Sequence, residues 1–203
     1  MKLPDLRQQT EFDCGDTART VALLGAGYPR RLVKSLPPIS TPDHGTPPRR
    51  MALLLRRNGI KARLHKRLTL AKAEQLMAAG FTLVCPVAGK DNGHDWHWIT
   101  LQRVSETLVT YHDPFCGFTS KSKLDFLDWW EDTDYRGERW QSAAVVIPRY
   151  VRGATVKDCL TVRQRPAPAA ERSPKPASSR RSEPMRSSER RVGKPRARRL
   201  PEG

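Results

Sequence analysis

The stretch QQTEFDCGDTARTVALL, residues 8–24, places a cysteine at the start of a predicted amphipathic helix. Apolar residues recur at helical spacing after it, and glycines end the pattern. Asp13 precedes the run, so we expect its carboxylate to cap the helix by accepting from first-turn N–H groups. Cys14 then lies where unsatisfied amides and the helix dipole favour a negative sulfur, although Asp16 adds an opposing charge. The position suits a nucleophile or a buried structural thiol.

The composition changes sharply along the chain. All five Trp residues precede Tyr150, whereas the sequence from Arg163 onward has no aromatic residue. Thirteen Lys and Arg face four Asp and Glu there, which accounts for +9 of the total charge of +16. Such a segment buries too little apolar surface to offset the entropy of ordering. The sequence therefore predicts a folded domain over 1–150 and a mostly disordered basic tail over 151–203.

The tail has two interpretations. It is a solubilising extension, or it makes electrostatic contact with nucleic acid, an acidic partner or an anionic membrane surface. Because no aromatic residue is interleaved with its charges, contact with nucleic acid would be limited to phosphates. The oligomeric state is left open.

The N-terminal residues contain no apolar segment typical of a signal peptide, and no apolar run approaches the ~18–20 residues of a membrane span. We expect a protein that is cytoplasmic at synthesis, with later export, injection or virion packaging left open. A disulfide framework is not expected without an export signal, and no cofactor is expected. A zinc knuckle is also disfavoured, because no CxxC spacing links Cys14, Cys85, Cys116 and Cys159.

Apolar periodicity predicts an α+β fold in which helices precede a mostly antiparallel sheet. Thr46 is expected to cap the second helix, and Ser122 with Asp125 forms a capping box before the last one. The later helices are predicted at 47–57, 69–79 and 123–130. The strands are predicted at 60–64, 81–87, 96–103, 107–114 and 142–148.

The hairpin formed by 96–103 and 107–114 carries a histidine and an aspartate at its open end. A loop centred on Ser105 places His97 directly opposite Asp113, with their Cβ atoms ~4.5–5.5 Å apart on one face. A carboxylate at that distance can hold and orient an imidazole. A one-residue slip would instead pair His97 with His112 and remove the arrangement.

The other histidines lack such a partner. His94 falls in the polar run KDNGHD, and His112 points to the opposite face, towards Trp98, as a structural residue. His44 and His65 show no partner pattern. Alternating strand faces also disfavour a metal cluster of His94, His97, His112 and Asp113.

Three segments, QQTEFDCGDTA, HWITLQR and YHDPFCG, resemble peptidase family C39. These papain-like cysteine peptidases are best known as the leader-removing domains of bacteriocin exporters. The family pattern is a glutamine six residues before a cysteine, then a histidine beside a strand, then Asp-Pro after the next strand. It falls on Gln8, Cys14, His97 and Asp113, and the resemblance spans 3–148. It implies a papain-like fold with N-terminal helices packed on a mostly antiparallel sheet.

The resemblance also implies a cysteine peptidase acting on a protein or peptide. Cys14 would be a partly exposed nucleophile, His97 its base and acid, and Asp113 the group that orients the imidazole. Gln8 would form the oxyanion hole with the Cys14 amide, and the adjacent Gln9 is an alternative. Two other functions stay open: an idle papain-like binding domain with a basic tail, and an acyl-transferring or deamidating enzyme on the same triad. The family's transporter domains are not found here, so a double-glycine specificity is not implied.

Overall fold

The computed structural model describes residues 2–41, 45–89, 97–131 and 139–151. Within these ranges the helices are α1 (Cys14–Gly25), α2 (Arg30–Ser35), α3 (Pro48–Arg57), α4 (Leu70–Ala78) and α5 (Lys123–Trp129). The strands are β1 (Arg63–His65), β2 (Thr82–Val87), β3 (His97–Val104), β4 (Leu108–Asp113), β5 (Gly117–Ser122) and β6 (Ala144–Ile147).

A six-stranded sheet in the order β1-β6-β2-β3-β4-β5 forms the centre of the fold. Each strand is antiparallel to its neighbours. Alternate residues of the central strands face two different cores, as strand geometry requires. Trp98 packs with α1, α2 and α3 on one face, whereas Ile99 packs with α4 and α5 on the other. The predicted α+β architecture with an antiparallel sheet is confirmed.

Helix α1, strand β3 and the segment before α3 are joined by specific contacts. The Thr100 hydroxyl donates to the carbonyl of Ala18 at 3.0 Å, and the Trp98 indole donates to the carbonyl of Thr46 at 2.9 Å. A Cβ added to Gly15 would lie 2.4 Å from the Thr46 hydroxyl oxygen, so only glycine fits at this crossing. These contacts place the first turn of α1 beside the start of β3.

Most predicted elements occur close to their expected bounds, within the usual uncertainty of helix ends. The Ser122 cap is confirmed, because its hydroxyl accepts from the Asp125 amide at 3.1 Å. Thr46 does not cap α3: it is buried, and Pro47 occupies the N-cap position. Helix α2 and strand β5 were not predicted, because each is only six residues long and too short to show a clear period.

The predicted register of the β3–β4 hairpin is wrong. Near the loop, Val104 lies opposite Val109; further along, Thr100 lies opposite His112. The register shifts between Leu101 and Arg103, so one extra residue, Gln102, is accommodated in β3 as a β-bulge. The loop is centred between Glu106 and Thr107 rather than on Ser105, and with the bulge Asp113 falls across from Ile99 rather than His97.

The predicted tail, apart from Val151, lies outside the described residues, as do His44, His94 and Cys159. The tail's disorder and electrostatic role, and the domain boundary, therefore stay predictions. Within the described ranges, no helix has both the length and the apolar character that crossing a bilayer requires.

Candidate active site

His97 and Asp113 meet at the open end of the hairpin. The Nε2 atom of His97 lies 2.7 Å from Oδ1 of Asp113, and the two side chains are 19% and 4% exposed. The pair is diagonal across the two strands, which is within reach for long side chains on a shared face. The backbone amide of Phe115 also donates to Oδ1 of Asp113, at 2.8 Å. Oδ1 of Asp113 is thus in contact with both the imidazole and the Phe115 amide.

Cys14 is the second partner of the His97 imidazole. Its side chain hydrogen-bonds with His97 from the first turn of α1. Since Asp113 occupies Nε2, Nδ1 is the ring nitrogen that remains for the thiol. The residue is only 5% exposed, so the expectation of a partly exposed thiol is wrong. The first turn is packed against the core on the α1 face of the sheet.

The charges of the pair reinforce each other. Burial disfavours a charged His97, but hydrogen bonds with Asp113 and Cys14 outweigh it and raise the pKa of the imidazole to about 9. Burial also disfavours a charged Asp113, yet hydrogen bonds from His97, the Phe115 amide and Cys116 lower its pKa to about 2. An imidazolium held by a carboxylate is therefore the favoured state near neutral pH.

Asp16 does not act as an isolated negative charge beside Cys14. Its carboxylate lies 2.9 Å from the guanidinium of Arg19, which is 5% exposed and also donates to the carbonyl of Pro37. The same carboxylate accepts from the amides of Ile39 and Ser40. Asp16 thus ties α1 to the segment after α2, and its charge is compensated locally.

The predicted capping role of Asp13 is wrong. Asp13 occupies the N-cap position, but its side chain makes no hydrogen bond to the first turn of α1. The carboxylate instead accepts from the amides of Gln9 at 3.1 Å and Thr10 at 3.2 Å. It therefore organises the loop that precedes the helix. The first-turn amides of α1 are not occupied by this carboxylate.

Gln8 is more buried than the adjacent Gln9. The Gln8 side chain is half-buried, and its Nε2 donates to the carbonyl of Thr10 at 2.9 Å. Its backbone amide donates to the carbonyl of Pro114, also at 2.9 Å. Gln9 is exposed. The structure thus links the Gln8 loop both to the helix of Cys14 and to the turn after Asp113.

Arg7, which was not predicted as a site residue, contacts the turn after β4. The Arg7 guanidinium donates to the carbonyl of Phe115 at 3.4 Å and lies where a Cβ of Gly117 would be. Gly117 has a φ of 84°, a conformation that favours glycine. The signal available in the sequence was the Gly two residues after Phe115, which marks a tight turn.

His112 belongs to the other face of β4 from Asp113, as strand alternation requires. His112 is buried beside Phe118, and its Nε2 contacts the Leu6 amide at 3.3 Å and the Asp5 carboxylate at 3.2 Å. This supports a structural role for His112 in anchoring the N-terminal segment.

Two other cysteines lie within the described residues. Cys85 is buried, and burial raises the pKa of its thiol far above the usual range, whereas Cys116 is exposed at the surface.

Comparisons with known proteins show the fold. No protein family and no curated protein matches the sequence. A C39-like peptidase from Bacillus anthracis shares 14% identity with a TM-score of 0.57, covering 74% of this chain and 96% of the other. A double glycine motif protease from an AMS/PCAT transporter, solved in complex with the leader peptide, also shares 14% identity, with a TM-score of 0.48 and coverage of 72% and 92%. The chain therefore has the fold of a C39-like peptidase.

Proposed function

We propose that the protein is a cysteine peptidase that hydrolyses a peptide bond of a protein or peptide through Cys14, His97 and Asp113, with Gln8 in the oxyanion hole. The observation that carries the proposal is the position of one imidazole between a helix N-terminal thiol and a buried carboxylate. His97 shares hydrogen bonds with both, and its Nε2–Oδ1 distance to Asp113 is 2.7 Å. This is the geometry that nucleophilic catalysis by cysteine requires.

The proposed reaction follows from these contacts. Nδ1 of His97 takes the proton of Cys14, and the sulfur attacks the scissile carbonyl carbon. The resulting oxyanion is stabilised by the Gln8 amide and the Cys14 backbone N–H, and one such donor is typically worth ~2.7–4 kcal/mol. His97 protonates the leaving amine as the C–N bond breaks. Water then attacks the thioester, His97 accepts its proton, and the acid product leaves as the thiol is restored.

The test measures the alkylation of Cys14 by iodoacetamide against pH, with the modified residue identified by mass spectrometry. We expect rapid labelling below pH ~7 in the wild type, and loss of that reactivity in His97→Ala. His65→Ala is the matched control, because His65 lies on the edge strand β1, which β6 and β2 separate from the hairpin. Labelling at the rate of a free thiol such as glutathione, indifferent to His97, would favour the idle binding domain.

A second step distinguishes hydrolysis from transfer. Wild type and Cys14→Ala are incubated with a peptide library, and cleaved, deamidated and amine-linked products are separated by mass. We expect cleavage products that depend on Cys14. Products of deamidation or amine transfer without cleavage would replace the peptidase proposal with acyl transfer on the same residues. Because Cys14 is buried, Cys14→Ala should also lower the free energy of unfolding, by about 1 kcal/mol.

A further inference from the structure

The loop before α1 is held by a carboxylate that caps no helix. Asp13 accepts from Gln9 through Oδ2 at 3.1 Å and from Thr10 through Oδ1 at 3.2 Å. Two oxygens on two successive amides fix the backbone of the loop more firmly than a single bond would. Charged acceptors also make stronger hydrogen bonds than neutral ones. The Asp13 side chain therefore determines the course of the chain between Gln8 and Cys14.

The same loop fixes the side chain of Gln8. The carbonyl of Thr10, whose amide is bound by Asp13, accepts from Nε2 of Gln8 at 2.9 Å. The backbone amide of Gln8 donates to the carbonyl of Pro114. A side-chain amide nitrogen carries two hydrogens, so one remains after the bond to Thr10. Hydrogen bonds therefore connect the Asp13 carboxylate, through the backbone of Thr10, to the side-chain amide of Gln8 that would face the oxyanion.

We propose that Asp13 is a positioning residue that holds Gln8 in place for the oxyanion hole. The inference rests on the proposed function, because it assigns a role in the reaction of Cys14. An oxyanion-hole donor is effective only when it is already oriented at the position where charge develops. Asp13 is bonded directly to Cys14 along the chain, so its contacts with the loop set the distance between donor and nucleophile. It acts through Gln8 and does not contact the reacting atoms.

Two reagents separate this role from a general effect on the thiol. p-Nitrophenyl acetate acylates Cys14 through a tetrahedral oxyanion: the S–C bond forms, p-nitrophenolate leaves, and the thiol proton passes to His97. Iodoacetamide alkylates the same sulfur by displacement of iodide, without an oxyanion. The ratio of the two rates therefore reports the oxyanion hole. Both reagents are applied to the full chain, and mass spectrometry assigns the modification to Cys14.

We expect Gln8→Ala to lower the acylation rate by about 10²-fold or more while leaving alkylation unchanged. Asp13→Ala should lower acylation by at least about tenfold, also without an effect on alkylation, and Asp13→Asn should fall between because it keeps one acceptor oxygen. In a Gln8→Ala background, Asp13→Ala should change acylation by less than about twofold, since two residues acting as a unit are not additive. Glu11→Ala, which removes an exposed carboxylate of the same loop, is the matched control.

Three results would overturn the assignment. Equal losses in acylation and alkylation in both Asp13 variants would show a general structural role. Full additivity of Asp13→Ala with Gln8→Ala would show that Asp13 does not act through Gln8. A wild type whose Cys14 is both acylated and alkylated at the rate of glutathione, indifferent to His97→Ala, would overturn the proposed function and the positioning role with it.

Discussion

The imidazole of His97 reaches Asp113 along a diagonal of the β3–β4 pair, and a β-bulge in β3 keeps the two residues on one face. Between Val104 and Val109 the pairing has a register that would place Asp113 opposite Thr100, on the other face from His97. The bulge at Gln102 shifts the register by one, so that Asp113 falls on the face of His97. β-bulges commonly redirect side chains next to functional sites in this way.

Deletion of Gln102 should leave the His97–Asp113 pair intact. Leu101 then precedes Arg103 directly and stays opposite Tyr111, so a regular ladder keeps every observed pair of the two strands. We therefore expect the alkylation of Cys14 to keep the rate of the wild type, and histidine NMR to show His97 with its raised pKa of about 9. Insertion of one glycine between Trp98 and Ile99 is the contrasting variant, because it moves His97 to the other face of β3. A Gln102 deletion in which the pKa of His97 falls to its ordinary value of 6.5 would contradict this account of the bulge.

The stability of the protein should depend on the titration of His97. Its pKa is raised from 6.5 to about 9 in the folded state, so its stabilising contribution is fully present below pH 6.5 and is lost as pH rises through about 9. A shift of this size corresponds to about 3 kcal/mol. The free energy of unfolding from urea titrations should fall over this window in the wild type. In His97→Gln the contribution of residue 97 disappears, and an unchanged slope would rule the histidine out as its source.

The same reasoning applies at acid pH to Asp113. Its pKa is lowered from 3.8 to about 2 in the folded state, so its contribution is present above pH 3.8 and is lost as pH falls through about 2. We expect Asp113→Asn to reduce the acid sensitivity of unfolding between these values. The measurement is the urea midpoint at pH 2 to 5, with Asp128→Asn as an exposed carboxylate control. Equal acid sensitivity in wild type and Asp113→Asn would refute the prediction.

Arg19→Ala should destabilise the fold strongly. The variant leaves the Asp16 carboxylate without its buried cation and removes the bond to the carbonyl of Pro37. Removing one partner of a buried ion pair costs roughly 3–5 kcal/mol. Urea denaturation measures the change, and Arg50→Ala on the exposed face of α3 should cost less than about 0.5 kcal/mol. A loss below about 1 kcal/mol for Arg19→Ala would mean that the pair contributes little.

Gly15→Ala tests the crossing of α1 and the segment before α3. Alanine normally stabilises a helix interior relative to glycine by about 1 kcal/mol. Here its Cβ would lie 2.5 Å from the Cβ of Thr46, so we expect a net loss of stability. Thr46→Gly removes the opposing atoms, and the double variant should recover part of the loss. A Gly15→Ala variant as stable as the wild type would show that the crossing can widen freely.

Sequence reasoning succeeded where the signal is local. The start of α1 at Cys14 and the Ser122 cap depend on neighbouring residues, and both were predicted. It failed where a side chain has a choice of hydrogen-bond partners, or where one additional residue changes the register of two paired strands. The Asp13 carboxylate could bond to its helix or to the preceding loop, and composition does not choose between them. The register of His97 was predicted wrongly because the loop is centred between Glu106 and Thr107 rather than on Ser105, and because the Gln102 bulge leaves no mark in the alternation of apolar residues.

The bond between the Gln8 amide and the Pro114 carbonyl has a consequence for synthesis of the protein. The ribosome makes the thiol of Cys14 about 100 residues before Asp113, and at about 5–20 residues per second this interval is roughly 5–20 s. During that time the nascent chain holds the nucleophile without the imidazole, the carboxylate or the anchored glutamine. In the proposed peptidase, the order of translation therefore delays activity until the hairpin is complete. The large sequence separation between Cys14 and the hairpin therefore protects the newly made chain from cleavage by its own cysteine.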